Sequence, residues 1–255
     1  MTLRNITCAV TLCLLTLSGQ AVGKTEVPPY KNKSLSIEKR VDDLMGRMTL
    51  REKVLQLQNR GAGRLDEIDR IFNGESFGCT HEMGTTAAEC ATMYKELQQY
   101  MLTKTRLGIP IITSAEGIQG ILQNNCTLFP HALAQGSTFN PALIQRMTEA
   151  AGEEAKVIGI HQILSPVLDI ARELRWGRVE ETFGEDPYLI SEMGIAFING
   201  YQKNRITCMP KHFVAHGTPS GGLNCAQVSG GEKLVSLSVP SCHQGDESVG
   251  IDDLL

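Results

Sequence analysis

The run Ile163-Leu164-Ser165-Pro166-Val167-Leu168-Asp169-Ile170, opening into Ala171-Arg172-Glu173-Leu174-Arg175-Trp176-Gly177-Arg178, carries most of the information about the fold. An apolar segment of strand length is punctured by one carboxylate and by Pro166, and the proline argues against a regular central strand. Downstream, Asp186 and Pro187 start a helix whose Leu189, Ile190, Met193, Phe197 and Tyr201 share one face. Ile206 to Phe213 is the next strand candidate. Upstream, Arg106 to Gly108 makes a break, and Ile109 to Ile112 is a short β-branched run that reads as a buried strand. Between the two, Asn140 as N-cap and Pro141 at the first helical position open a helix running to about Val157. Short apolar strands alternating with amphipathic helices imply a parallel sheet covered by helices, so the class is α/β. No repeat of fixed period is present.

Three more helical patterns precede this region. Ile37, Val41, Leu44 and Met48 recur at helical spacing. Thr49 with Glu52 three residues later is a capping box that restarts a helix through Val54 and Leu57. Thr86 to Leu102 is the third. The first 23 residues stand apart: Arg4 precedes an apolar stretch over residues 6–17, followed by the small residues Ser18, Gly19, Ala21 and Gly23. That is the pattern of an export signal with cleavage after Ala21 or Gly23, and it is too short to span a bilayer comfortably. The expected layout is a signal peptide over 1–23, a polar leader over 24–35, a folded domain over 36–231 and a non-matching tail over 232–255. The protein is expected to be exported, periplasmic or secreted.

Composition narrows the function classes. The 255 residues are 42% hydrophobic and 20% charged with a net charge of −4, which excludes disorder, collagen and coiled coil. No basic run supports a nucleic-acid or anionic-membrane partner. Cys8 and Cys13 fall in the signal, leaving Cys79, Cys90, Cys126, Cys208, Cys225 and Cys242. The even count permits disulfides after export, but the density is low and no Cys-x-x-Cys pair occurs. Buried free thiols with one bridge at most are expected.

Polar residues gather just after the apolar runs: Glu116 in Ser-Ala-Glu-Gly-Ile-Gln-Gly, Asp169 with Arg172, Lys211 with His212, and His216. In parallel α/β folds functional groups converge at the C-terminal ends of strands. Carboxylate, guanidinium, ammonium and imidazole facing one pocket suit a hydroxyl-rich ligand such as a sugar. His212 and His216 have a metal-like spacing only if helical. Pro210, Gly217, Pro219, Gly221 and Gly222 around them favour a loop, so no metal site is expected. His81-Glu82 fails as a metalloprotease start because position 85 is Thr85. Gly61-Ala62-Gly63 is a turn with nothing like a nucleotide loop around it, and no cofactor is expected. Asn125-Cys126-Thr127 is a formal glycosylation sequon.

The motifs in order resemble glycoside hydrolase family 3. They are Arg40-Val41-Asp42-Asp43-Leu44 with Met48 to Leu57; Leu107-Gly108-Ile109-Pro110 with Glu116-Gly117; Arg172 to Arg178 with Glu181 to Pro187; Lys211-His212-Phe213; His216-Gly217; and Gly221 to Asn224. The resemblance implies a (β/α)8 TIM-barrel-type N-terminal domain, usually followed by a smaller α/β sandwich. It also implies removal of β-linked glucose or xylose from non-reducing ends of an oligosaccharide or glycoside by a retaining mechanism. By resemblance Glu116 binds a hydroxyl of the terminal sugar, with Arg172, Lys211 and His212 as its partners on the same ring. Arg178, Glu181 and Asp186 brace the loop by ion pairing, His216 lies near the site, and Trp176 is a packed loop anchor rather than a stacking platform.

The sequence also departs from the family. Gln119 stands where His is frequent, many members have Asp where Glu116 stands, and Lys211-His212-Phe213 lacks the Asp-Ser-His of the hexosaminidase branch. A retaining site needs two carboxyl groups about 5–5.5 Å apart. The family's nucleophile is an Asp in a Ser-Asp-aromatic context, and its acid/base is a Glu of the second domain. Both lie beyond the matching region, and the chain has no Ser-Asp dipeptide. The expectation is an incomplete barrel with about five of its eight strands, ended before the nucleophile by a shifted frame or a premature stop, and without turnover. A non-catalytic sugar-binding protein and an inert truncated relic are the alternatives.

Overall fold

A computed structural model describes residues 27–226 apart from 62, 82, 83 and 214. The expected signal over 1–23, the tail over 232–255 and Cys242 lie outside the described residues. The elements run α1 (Ile37–Arg47), α2 (Leu50–Gln56), α3 (Ile68–Phe72), β1 (Cys79–Thr80), α4 (Ala87–Lys104), β2 (Ile112–Ala115), α5 (Ala132–Gly136), α6 (Pro141–Ile158), β3 (Gln162–Ile163), α7 (Pro187–Gln202) and β4 (Thr207–Cys208).

The four strands form one sheet in the order β1-β2-β3-β4, every pair parallel. Cys79 pairs with Ile112, Ser114 with Gln162, and Gln162 with Thr207. A bridge from Asn59 to Cys79 extends the sheet beyond β1. A strand order that follows the chain without reversing is that of a barrel wall rather than of a doubly wound sheet, whose order reverses at a switch point.

The helices follow their caps. Thr49 and Glu52 make both halves of the capping box at α2, and Thr86 with Glu89 does the same at α4. Asn140 accepts from Leu143 N at the start of α6, where Pro141 lacks the N–H that would otherwise be unsatisfied, and Gly159 ends the helix in the left-handed region. Along α6 and α7, Ile144, Ala151, Ala155, Ile190, Met193, Phe197 and Tyr201 are buried in the core that covers the sheet.

The strands differ from the sequence reading. β2 begins at Ile112 rather than Ile109, because Pro110 has no N–H and Gln98 takes both backbone groups of Ile111 at 3.1 and 2.5 Å. β3 is only Gln162–Ile163; Pro166 interrupts it, and the chain resumes at Val167, which bridges Thr182 and Lys211. β1 lies where no apolar run marks it.

Helix α1 forms as read, but its apolar stripe is not its buried face. Arg40 is its buried residue, donating from Nε to Tyr30 O at 3.1 Å, while Ile37, Val41 and Met45 are 37–45% exposed. Together with Leu44, Leu102, Ile109 and Ile112 this helix lines a cavity of about 540 Å³ at the N-terminal ends of the strands. The described cysteines, Cys79, Cys90, Cys126, Cys208 and Cys225, are free thiols. Burial pushes the Cys208 thiol up to about 12.

Candidate functional site

The opposite end of the sheet is polar. Glu116 follows β2 directly, and Gly117 after it lies so close to Ile163 that a Cβ there would run into its side chain. Tyr201 of α7, fully buried, donates to Gly117 O at 2.9 Å and fixes this turn. Beyond β4 the chain returns beside Val167: Leu168 N donates to Lys211 O at 2.7 Å and Lys211 N to Pro166 O at 2.9 Å. This short ladder sets Lys211 and His212 against residues 166–169. The Lys211–His212 peptide is cis.

Lys211 Nζ donates to both carboxylate oxygens of Glu116, at 3.0 and 3.2 Å. Its side chain is 15% exposed and that of Glu116 28%, so the pair is reachable yet shielded. Asp169 Oδ2 accepts the His212 backbone N–H at 3.1 Å and lies 2.6 Å from His212 Nδ1. The Asp169 side chain is almost entirely buried. Arg178 Nη1 is 3.2 Å from His212 Nε2, and the same guanidinium is forked onto Glu181 at 2.6 and 2.7 Å.

That fork raises the Arg178 pKa. Burial pushes the Glu181 carboxyl up, but the Arg178 hydrogen bond and the charges of Arg178 and Lys211 outweigh it and leave it below the usual range. Burial holds His216 below the usual imidazole value. The rings of His212 and His216 meet edge-on at 4.6 Å, and His216 meets Trp176 at 5.0 Å. Trp176 is buried and donates from Nε1 to Asn224 Oδ1 at 2.8 Å, so it has no open face on which a sugar could stack.

The structure thus brings Glu116, Lys211, His212, Arg178, Glu181, Trp176 and His216 together, while the side chains of Asp186 and Arg172 bond to none of them. Asp186 enters no ion pair among the described residues; it caps α7, accepting from Tyr188 N at 2.9 Å. Arg172 is exposed, and its guanidinium is bonded to no described residue. Its backbone is fixed: Arg172 N and Glu173 N both donate to Gly217 O, at 3.2 and 3.1 Å. Asp169, which the sequence set in the cluster beside Arg172, is instead held on His212, and a carboxylate inside an apolar run was its signal. Among the described residues no group of His, Cys, Asp and Glu is arranged to hold a metal ion.

Chemically, the cluster offers acceptors on Glu116 and donors on Lys211 side by side, the pairing that a hydroxyl group, at once donor and acceptor, can satisfy. The sequence profile of the glycosyl hydrolase family 3 N-terminal domain matches residues 49–239. A β-xylosidase of Formosa agariphila is 38% identical over 143 residues, 51% of this chain and 20% of that protein. A periplasmic β-glucosidase/β-xylosidase of Dickeya chrysanthemi is 29% identical over 234 residues, 79% of this chain and 35% of that protein. A β-glucosidase of Listeria innocua superposes with a TM-score of 0.68 at 29% identity, covering 79% of this chain and 30% of that one. A variant of that enzyme has been solved with laminaribiose. The chain spans about a third or less of the length of these relatives.

Proposed function

Because the chain belongs to the glycosyl hydrolase family 3 N-terminal domain family, we propose that its polar cluster grips the terminal sugar of a β-glucoside or β-xyloside. The observation that carries this reading is the Lys211 ammonium held on both oxygens of Glu116 beside the buried Asp169–His212 pair. Glu116 accepts from ring hydroxyls, Lys211 donates to them, and the guanidinium of Arg172, bonded to no described residue, closes on the same ring. Charge-assisted hydrogen bonds of this kind are short and directional, so they fix a ring and strengthen as charge develops on it. Trp176, Arg178, Glu181 and His216 hold the loop, and Asp186 holds the helix behind it.

In this reading residues 36–231 belong to the barrel domain, and residues 1–23 direct export to the periplasm or outside the cell. Cleavage with retention needs a nucleophile and an acid/base about 5–5.5 Å apart. The chain contains no Ser-Asp dipeptide, the context in which the family resemblance places the nucleophile. Glu116 and Asp169 are each committed to a partner. The 255 residues therefore bind sugar without turning it over.

Calorimetry of the purified chain with glucose and with xylose tests this. Heat of binding is expected with at least one sugar, weakened by roughly tenfold or more in Glu116→Ala and Arg172→Ala. No heat with either sugar sinks the binding reading. Cleavage of an aryl β-glucoside at the rate of a full-length relative sinks the other half.

A further inference from the structure

Both ring nitrogens of His212 are engaged, and the partners decide where its proton sits. Arg178 Nη1, 3.2 Å from Nε2, belongs to a guanidinium that carries donors only. Nε2 therefore offers its lone pair, and the ring proton is on Nδ1, 2.6 Å from Asp169 Oδ2. The geometry is held from both sides. Asp169 Oδ2 also takes the His212 backbone N–H, and Arg178 is fixed by its fork to Glu181 and by lying over Trp176 at 5.8 Å.

We propose that Asp169 is a positioning residue that holds the His212 ring proton on Nδ1, so that Nε2, with the donor-only Arg178 against it, offers its lone pair. Resting on the sugar-binding reading above, a hydroxyl that reaches His212 replaces Arg178 at Nε2 and donates its proton there. A sugar in which that hydroxyl is replaced by fluorine or methoxy keeps an acceptor but loses the donor, and is excluded. Lys211, which only donates, and His212, which only accepts, then read the two halves of a hydroxyl's hydrogen-bonding capacity from adjacent positions.

The test is the ¹⁵N spectrum of the imidazoles in the full chain at neutral pH, with the His212 signal identified by its loss in His212→Gln. Wild type is expected to show a protonated Nδ1 and a lone-pair Nε2. In Arg178→Met no donor faces Nε2, and the Nδ1–H form is expected to persist because Asp169 still accepts from Nδ1; adding Asp169→Asn to that variant is expected to move the proton to Nε2 in most molecules. A protonated Nε2 in wild type, loss of the Nδ1–H form in Arg178→Met alone, or no change on adding Asp169→Asn overturns the proposal. The spectrum needs no sugar, so a chain with this tautomer that binds neither glucose nor xylose sinks the sugar reading and leaves the tautomer standing. Where binding is seen, Asp169→Asn is expected to weaken it by roughly tenfold or more.

Discussion

The same strands end in two different ways. At their C-terminal ends Glu116, Lys211, Asp169, His212, Arg178 and Glu181 hold one another through charge-assisted hydrogen bonds of 2.6–3.2 Å. At their N-terminal ends they open onto a cavity of about 540 Å³ walled by Ile37, Val41, Leu44, Leu102, Ile109 and Ile112. The first end is specified by directional contacts between residues far apart in sequence. The second is specified by little more than apolar character, and its helix α1 is anchored through a buried arginine instead. Order at the polar end should therefore respond sharply to geometry and pH, and order at the hollow end to neither.

The largest expected effect comes from Gly217→Ala. A Cβ there runs into the Ile170 carbonyl and pries the 215–217 loop from residues 170–173. A loss of about 1–3 kcal/mol is expected. The single tryptophan, Trp176, touches His216 and should report it as a shift in emission. An unchanged melting temperature and unchanged emission would mean that the two loops are not locked together.

Acid should come next, and it should act on one end first. His216 has a lowered folded pKa, so its contribution is full above its ordinary value of about 6.5 and is lost as pH falls through the lowered one. Glu181 is also lowered; its contribution is present above about 4.3 and is lost as pH falls through its folded value. Near the hollow end the Arg106 hydrogen bond draws Glu52 down to about 2, so that pair survives to much lower pH. Tryptophan emission should change in an acid titration while far-ultraviolet circular dichroism still holds. Simultaneous loss of both signals near pH 4 would erase the distinction.

Val41→Lys should have the smallest effect. At 39% exposure the longer side chain can lie along the groove with its ammonium in water, and stability should stay within about 0.5 kcal/mol. A drop of several degrees in melting temperature would show that the apolar wall is covered after all.

What was legible in the sequence was local. Thr49 with Glu52, Asn140 with Pro141, and Asp186 with Pro187 are signals confined to one helical turn, and each marks a helix start. Glu116, Lys211 and His212 stood out because they follow apolar runs. Strand limits were not legible, since Ile111 is claimed by Gln98 from α4 and β1 has no apolar run of its own. The stripe on α1 misled because period alone does not say which face finds a partner, and Arg40 found one in Tyr30. The grip of Asp169 on His212 depends on the Val167–Lys211 bridge between separate strands, which no local pattern announces.

Because each strand pairs with the one made just before it, every new pairing joins segments about 30–50 residues apart, the span of one βαβ unit. The wall can therefore grow in the direction of synthesis, each unit docking on an edge already in place as the chain leaves the ribosome. Among the described elements the polar cluster would assemble late: Glu116 waits at the end of β2 for Lys211, which arrives two strands later.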